Sequence, residues 1–239
     1  MLLEPELLPF LKGERFSHAV RASFLNTPLV DRISWLEKKV AGKRVIHVGC
    51  VDHLPLIEQK RAQGQWLHAR LCAAAQRCTG IDINAEGIRH LKSLGYQDVH
   101  ACSLLGNDVP DLSEERWDTM VLGEMIEHTD DPVAFLTNLA EAYRGAVESV
   151  ILTTPNAFSL QNMGNAVRGV EVINSDHRYW FTPYTLAKVL QRAGLEPKEL
   201  DFVSSSSLHV GGLRSALRRQ LQVRCPALRD TLVVEARIA

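Results

Sequence analysis

Hydrophobic residues follow two different periods along the chain, and the pattern changes near residue 42. In the segment LVDRISWLEKKV, Leu29, Ile33, Leu36 and Val40 recur at helical spacing, which predicts an amphipathic helix. Beyond it come the short apolar or β-branched runs KRVIHVG, RCTGIDI, WDTMVLG and SVILTTP, with a weaker run, QDVHACS, between the second and third. Such runs are typical of strands that are buried on both faces of a sheet.

Helical segments alternate with these runs: HARLCAAAQR, AEGIRHLKSLGY, DDPVAFLTNLAEAY and FTPYTLAKVLQRAG. Asp131 and Thr182 stand at N-cap positions directly before a proline, and Gly95 and Gly194 stand where a helix would end. The alternation predicts an α/β fold, with a parallel sheet covered by helices on both faces.

The two ends of the chain depart from this alternation. We expect an N-terminal helical extension over residues 1–42 and one main domain over residues 43–239. Near the end, KELDFVSS and DTLVVEARIA predict two further strands. Residues 205–229 between them contain no acidic residue, which predicts a basic helical insert that carries Arg214, Arg218, Arg219, Arg224 and Arg229.

Composition narrows the class of protein. A chain of 239 residues that is 46% hydrophobic and 23% charged suits one folded domain, and a net charge of −1 gives no reason to expect a polyanionic partner. No apolar run approaches the roughly 20 residues of a membrane span, and Glu4 and Glu6 stand where a secretory signal would be basic. The five cysteines include no CxxC pair, so we expect reduced thiols of a cytoplasmic protein, not a disulfide or zinc framework.

The first strand runs into a turn, VIHVGCVDH, that resembles a nucleotide-binding turn but carries one glycine, Gly49. Ligands of open α/β sheets bind outside the carboxyl ends of the strands, where Asp82 ends the second strand. A carboxylate there can accept hydrogen bonds from both ribose hydroxyls of an adenosine. The absence of GxGxxG disfavours a dinucleotide dehydrogenase. The plain alternative is an ordinary sheet, in which Gly49 only eases packing and Asp82 only caps a helix.

Three longer segments follow in a characteristic order: GEMIEHTDDP, VILTTPN and DHRYWFTPYTLAKVLQRAGL. With HVGC and Asp82 they resemble class I S-adenosylmethionine-dependent methyltransferases over about residues 42–204. The motif pattern is most similar to ubiquinone-pathway O-methyltransferases and small-RNA 2′-O-methyltransferases. The resemblance implies a Rossmann-like, seven-stranded, mostly parallel sheet with an antiparallel final strand.

The resemblance also implies that S-adenosylmethionine is the cofactor. Its expected contacts are His47, Gly49, Cys50, Asp82, Ile83, Ser103, Leu104, Gly123 and Glu124. The chain departs from the family at His47, where an acid is usual, and at Val51 and His53, where glycines are usual. Since the family's acid helps to hold the methionine amino group, we expect altered or weaker cofactor binding.

Glu124, Glu127 and His128 follow the strand that would end beside the methyl donor. Their spacing of i, i+3 and i+4 would place all three on one helical face, and carboxylates with an imidazole suit a divalent cation. In some relatives such an ExxEH set holds Mg²⁺, and a histidine that matches His177 joins it. One expectation is therefore a Mg²⁺ site of Glu124, Glu127, His128 and His177. The alternatives are His128 or His177 as a general base without metal, and purely structural histidines.

Methyl transfer from a sulfonium mainly requires alignment of the reacting atoms, and a hydroxyl acceptor also needs a base or metal to take its proton. We expect O-methylation of a small polar metabolite, such as a sugar, lipid or natural-product intermediate. The alternatives are a metal-using RNA 2′-O-methyltransferase, with nucleic acid the less favoured partner, and a non-catalytic partner protein of the same fold. The parts expected to select the acceptor are the N-terminal helices, residues 51–66, residues 157–175 and the basic insert.

Overall fold

The computed structural model describes residues 5–103, 112, 115–205 and 212–238. Seven strands form one sheet: β1 (Arg44–Val48), β2 (Arg77–Asp82), β3 (Val99–Ala101), β4 (Trp117–Gly123), β5 (Val147–Pro155), β6 (Leu195–Val203) and β7 (Thr231–Ile238). Their order is β3-β2-β1-β4-β5-β7-β6. β1 to β5 pair in parallel, and β7 runs antiparallel to both of its neighbours. The predicted fold class is confirmed, including the weak third strand and the antiparallel end.

The α-helices of the described residues are α1 (Leu8–Lys12), α2 (Arg32–Val40), α3 (Leu54–Ala62), α4 (Leu67–Ala74), α5 (Ala85–Ser93), α6 (Pro132–Ala142), α7 (Leu160–Val167), α8 (Pro183–Arg192) and α9 (Leu213–Arg224). Short 3-10 helices cover Pro5–Leu7, Ile126–His128 and Pro226–Leu228. None of these described helices is long and apolar enough to cross a bilayer.

The predicted N-caps form the bonds that their residue types allow. The Asp131 side chain accepts a hydrogen bond from the Ala134 N–H at 2.9 Å, and the Thr182 side chain accepts one from the Thr185 N–H at 3.2 Å. These bonds satisfy amide groups that a helix start would otherwise leave unpaired. They fix where α6 and α8 begin, and therefore how the preceding loops leave the sheet.

Alternation along the strands divides the core between the two faces of the sheet. On one face, Ile46 and Met120 pack in the cluster that contains Leu136 of α6 and Leu190 of α8. On the other face, the neighbours Val45 and Val121 pack with helices α2 and α4, which contribute Trp35, Leu36, Val40 and Leu71. Because consecutive side chains of a strand point to opposite faces, continuous apolar strands require helices on both sides.

The N-terminal segment is only partly helical. Helix α2 packs on the sheet, but residues 16–30 contain no helix or strand, so the helical expectation for the whole of 1–42 is wrong there. The carbonyls of Thr27 and Pro28 accept hydrogen bonds from the Arg229 guanidinium instead of from a following helical turn. The placement of a domain boundary at residue 42 stays a prediction.

Arg229 connects three parts of the chain from a fully buried position. Besides Thr27 and Pro28, its guanidinium donates to the Phe202 carbonyl at 2.9 Å and to the Gln222 carbonyl at 3.0 Å. The basic insert thus contains helix α9, as expected. One of its arginines, Arg229, is buried and links the N-terminal segment, β6 and α9 by hydrogen bonds. Another, Arg218, is paired with Asp230 at 2.6 Å.

We expect Arg229→Met to lower the free energy of unfolding by about 3 kcal/mol or more, because several buried carbonyls lose their donors at about 1–3 kcal/mol each. Urea unfolding followed by circular dichroism measures this. The control Arg224→Met removes an exposed arginine of the same segment and should change stability by about 0.5 kcal/mol or less. Equal unfolding midpoints for the two variants would contradict the assigned role.

Candidate active site

The turn after β1 depends on the backbone freedom of its one glycine. Gly49 has φ 71°, a left-handed conformation that glycine adopts without steric cost. Its N–H donates to the Ile81 carbonyl at 2.8 Å, which carries the chain across the end of β2. The turn therefore presents backbone without a side chain at the carboxyl edge of the sheet.

Asp82 holds this turn in place. One of its carboxylate oxygens accepts a hydrogen bond from the Val51 N–H and the other accepts one from the Asn84 N–H, each at 2.9 Å. Burial raises the pKa of Asp82, and these backbone donors act in the opposite direction. Each carboxylate oxygen has a second lone pair, so Asp82 can also accept hydrogen bonds from a ligand.

Val51 stands where a glycine was expected, and its side chain packs against a glycine of α5, Gly87. A Cβ added to Gly87 of α5 would lie 2.2 Å from Val51 Cγ1, so the valine occupies the space that a larger residue of the helix would need. The turn is thus accommodated by close packing of the chain against α5, and the cavity beside it stays open.

That cavity has a volume of about 1090 Å³ at the carboxyl ends of β1, β2 and β4. It exceeds the upper end of the roughly 300–1,000 Å³ typical of small-molecule pockets, and so has room for two ligands. Of the expected cofactor contacts, it is lined by His47, Gly49, Cys50, Asp82, Ile83, Ser103, Gly123 and Glu124. Leu104 lies outside the described residues. Ile83 is 80% exposed although it is apolar, and a bound purine would cover it.

His47 is buried and neutral where the family usually has an acid. Its Nδ1 lies 3.1 Å from Nδ1 of His68, so one ring nitrogen donates and the other accepts. Burial, then His68 and Arg32, lowers the pKa of His47 well below 6.5. His47 therefore offers no negative charge to an ammonium group.

Glu124 supplies a carboxylate close to the same place. It follows Gly123 with φ 53°, a costly conformation for a residue with a side chain. Its N–H donates to the Thr153 carbonyl at 2.9 Å, and its carboxylate lies 3.5 Å from the Arg32 guanidinium. The expectation that Glu124 shares a helical face with Glu127 and His128 is wrong, because a helical turn begins only at Ile126.

Glu127, His128 and His177 form a compact group on the far side of the cavity. One ligand atom from each lies within 4.8 Å of the others, and the two imidazole rings meet edge to face with centroids 4.6 Å apart. Glu127 is fully buried; one carboxylate oxygen accepts from the Thr154 hydroxyl at 3.0 Å. The other oxygen, like His177 Nδ1, is buried with no hydrogen-bond partner among the described residues. Such unpaired buried atoms suit a proton, a ligand or a cation.

Residues 176–179 close over this group and hold it. The Arg178 N–H donates to the Glu127 carbonyl at 2.8 Å, the Arg178 guanidinium donates to the His128 carbonyl at 2.6 Å, and the Tyr179 hydroxyl donates to the Asp130 carbonyl at 2.7 Å. These bonds explain why His177, about 50 residues beyond His128 in the chain, stands beside it.

Residues 18–200 match the family described as "Methyltransferase domain". The chain belongs to this family. The resemblance to S-adenosylmethionine-dependent methyltransferases and the prediction that the chain is such an enzyme are thereby confirmed.

Individual relatives are distant. The ubiquinone biosynthesis O-methyltransferase of Aeromonas salmonicida is 23% identical over 188 residues, which cover 74% of this chain and 74% of the relative. The magnesium protoporphyrin IX methyltransferase of Synechocystis PCC 6803, solved with bound SAH, is 15% identical, with a TM-score of 0.52 over 86% of this chain and 79% of that one. A small RNA methyltransferase is 15% identical, with a TM-score of 0.57 over 93% of this chain and 27% of its own. At these identities the solved structures establish the shared fold.

The site of this methyltransferase also includes residues that the sequence did not single out. Arg32 lines the cavity from α2 in the N-terminal segment, and Asn174 and Asp176 line it from the loop before His177. Asp52 and Lys60, which pair with each other, line it from the long segment after β1. No local motif marks Arg32; only the packing of α2 on the sheet brings it to the turn.

The buried Glu127 predicts a specific pH dependence of stability. Burial raises its pKa from 4.5 to about 7, so the folded protein keeps a proton that the unfolded chain releases. The associated stabilisation is complete below pH 4.5 and is lost as the pH rises through 7. Between these limits the wild type should lose about 3 kcal/mol relative to Glu127→Gln.

Urea unfolding at a series of pH values in the presence of EDTA measures this difference. The control Glu148→Gln changes an exposed glutamate and should reproduce the pH slope of the wild type. Parallel stability curves for the wild type and Glu127→Gln would show that this carboxyl is ionised normally.

Proposed function

We propose that this methyltransferase O-methylates a hydroxyl group of a small polar molecule. The observation that carries the proposal is that one cavity joins two sets of groups. Gly49 and Asp82 lie at its adenosine side, and His128 and His177, backed by the buried Glu127, lie at the other. A hydroxyl bound between them would face a methyl donor on one side and proton acceptors on the other.

S-adenosylmethionine, when bound, supplies an already activated methyl group. The residues present fit its adenosine part: the carboxylate of Asp82 can accept from the ribose hydroxyls, the backbone at Gly49 permits close approach, and Ile83 offers an apolar surface to the purine. These residue roles are our proposal, and they follow the expected contacts of the sequence with the exception of Leu104, which is not described.

The methionine part of the cofactor carries an ammonium and a carboxylate, so the pocket must offer it both a negative and a positive group. Because His47 is neutral, we assign the ammonium to the carboxylate of Glu124, which lies beside Arg32, and the Arg32 guanidinium can bind the methionine carboxylate in bidentate geometry. The pair Arg32–Glu124 thus takes the role of the acid that the family usually has at position 47. It offers one group of each charge to the zwitterionic methionine part of the cofactor.

The reaction side supports removal of a hydroxyl proton. Burial and the neighbouring His128 lower the pKa of His177, which keeps its imidazole neutral and able to accept a proton. Its buried Nδ1 has no partner among the described residues, and the carboxylates of Glu124 and Asp176 act to raise its pKa, so they can stabilise an imidazolium. A histidine base suits an oxygen acceptor, whose proton must leave during transfer.

A small acceptor is favoured over RNA by the surface that the structure describes. Two of the five arginines of the basic insert make contacts within the fold and do not add to a basic RNA-binding surface: Arg229 is buried and Arg218 pairs with Asp230. The relatives at 23–26% identity over about 70% of the chain are named ubiquinone biosynthesis O-methyltransferases, which is consistent with an oxygen acceptor on a small molecule.

The second candidate adds a divalent cation at Glu127, His128 and His177. Their unpaired buried atoms fit a cation, but two imidazoles and one carboxylate suit Mn²⁺, Fe²⁺ or Zn²⁺ better than Mg²⁺, which prefers oxygen ligands. When bound, such a cation would polarise the acceptor hydroxyl. Glu124, the fourth residue expected from the sequence, pairs with Arg32 and lies outside the 4.8 Å group, and its place in a metal site stays a prediction.

Cofactor binding is the first test. Calorimetric titration with S-adenosylhomocysteine should show binding to the wild type, and an affinity lower by about tenfold or more for Asp82→Asn and for Arg32→Met, at the level of one lost charge-assisted hydrogen bond. The control Glu148→Gln should bind as the wild type does. No heat of binding at millimolar ligand would refute the proposed cofactor site.

Methyl transfer tests the reaction side. With labelled S-adenosylmethionine and pools of small hydroxylated acceptors, His128→Ala or His177→Ala should lower kcat by about 100-fold or more, as is usual for loss of a general base. The control His90→Ala changes a histidine outside the cavity. Unchanged rates in EDTA support the base alone, and loss in EDTA that Mn²⁺ restores supports the second candidate. Transfer to short RNA but to no small acceptor would contradict the proposal.

A further inference from the structure

A second cluster of ligand-type side chains lies beneath the turn after β1. His68 and Cys72 are four residues apart on α4 and therefore share one helical face. They face Cys78, the second residue of β2, which pairs in register with Val45 of β1. One ligand atom from each of the three residues lies within 4.8 Å of the others.

The spacing is close to that of a preformed tetrahedral site. With metal bonds of about 2.3 Å to sulfur and 2.0–2.1 Å to nitrogen, the nitrogen–sulfur edge of a zinc tetrahedron is about 3.6 Å and the sulfur–sulfur edge is about 3.8 Å. Cys72 Sγ lies 3.6 Å from His68 Nε2. The same sulfur lies 4.0 Å from Nδ1, so the Nε2 lone pair does not point at it, and a bound ion would require a rotation of the Cys72 side chain or a shift of the His68 ring.

The other nitrogen of His68 is held as a metal-bound histidine requires. Its Nδ1 lies 3.1 Å from Nδ1 of the buried His47, and the two rings are stacked with an interplanar angle of 20°. This contact occupies Nδ1 and leaves Nε2, the ring nitrogen nearer to Cys72 Sγ, for an ion, as a hydrogen bond from the far nitrogen does in many metal sites. His68 and His47 are 1% and 2% exposed.

Charge and access also fit a soft cation. A dication with two thiolates is neutral overall, which removes the main cost of burying charge. His68 also lines the large cavity, so an ion and a fourth ligand such as water can enter from that side.

We propose that His68, Cys72 and Cys78 form a binding site for Zn²⁺, or for another thiophilic divalent cation, with His47 as the positioning residue of His68. The ion would join α4 to β2 and, through His47, to the end of β1. This inference does not depend on the proposed reaction, since none of its ligands belongs to the Glu127, His128 and His177 group.

The test uses the full-length protein, reduced and freed of metal by a chelator. We expect ZnCl₂ to bind at one ion per chain and to raise the melting temperature. Co²⁺ in place of Zn²⁺ should give thiolate-to-metal charge-transfer absorption. Cys72→Ser and Cys78→Ser should each lower the Zn²⁺ affinity by about 100-fold and weaken that band, because one of the two thiolates is lost. Cys225→Ser, which changes an exposed cysteine, and Glu127→Gln should retain both.

Several outcomes would overturn the site. The first is less than stoichiometric Zn²⁺ in protein whose five thiols are all titratable. The second is the loss of two titratable thiols on purification without bound metal, which would indicate a disulfide. The third is wild-type protein that binds Co²⁺ without a thiolate band, a measurement that holds even if the serine variants do not fold.

Discussion

The site depends on one constraint, the double use of the Asp82 carboxylate at the end of β2. It accepts the Val51 and Asn84 amides, while Gly49 crosses the strand end in a left-handed conformation. If the turn were not held from both sides, it would have to collapse onto the sheet or expose unpaired amides. Because the turn is held, a cavity of about 1090 Å³ stays open at the carboxyl edge of the sheet. The proposed cofactor contacts line this cavity.

The residues around this turn that depart from the expected pattern have specific partners elsewhere in the fold. Val51 occupies space over Gly87, where no side chain stands. His47, which cannot supply a negative charge, instead contacts His68, and the carboxylate near it comes from Glu124 beside Arg32. The strained backbone of Glu124, with φ 53°, is of the kind that persists where surrounding contacts over-determine a functional side chain.

The two groups of histidines on either side of β1 have different surroundings and different chemistry. His128 and His177 lie with a buried carboxyl at the cavity and suit proton transfer or a borderline cation. His68 lies with two thiols between α4 and the sheet and suits a softer ion. The neutral His47 connects the second group to the cofactor turn through its contact with His68.

The sequence by itself determined the strands, their order and the main helices between them, but not α3 or α7. Apolar strand runs, N-caps such as Asp131 and Thr182, and the position of Gly49 and Asp82 at strand ends are local features, and local hydrogen bonds and periodicity enforce them. Tertiary structure alone decided three matters: that Glu124 pairs with Arg32, that the buried Arg229 links the N-terminal segment to β6 and α9, and that Cys72 and Cys78 lie close to His68. Each of these depends on the distance between segments far apart in the chain, which packing sets and spacing along the sequence does not.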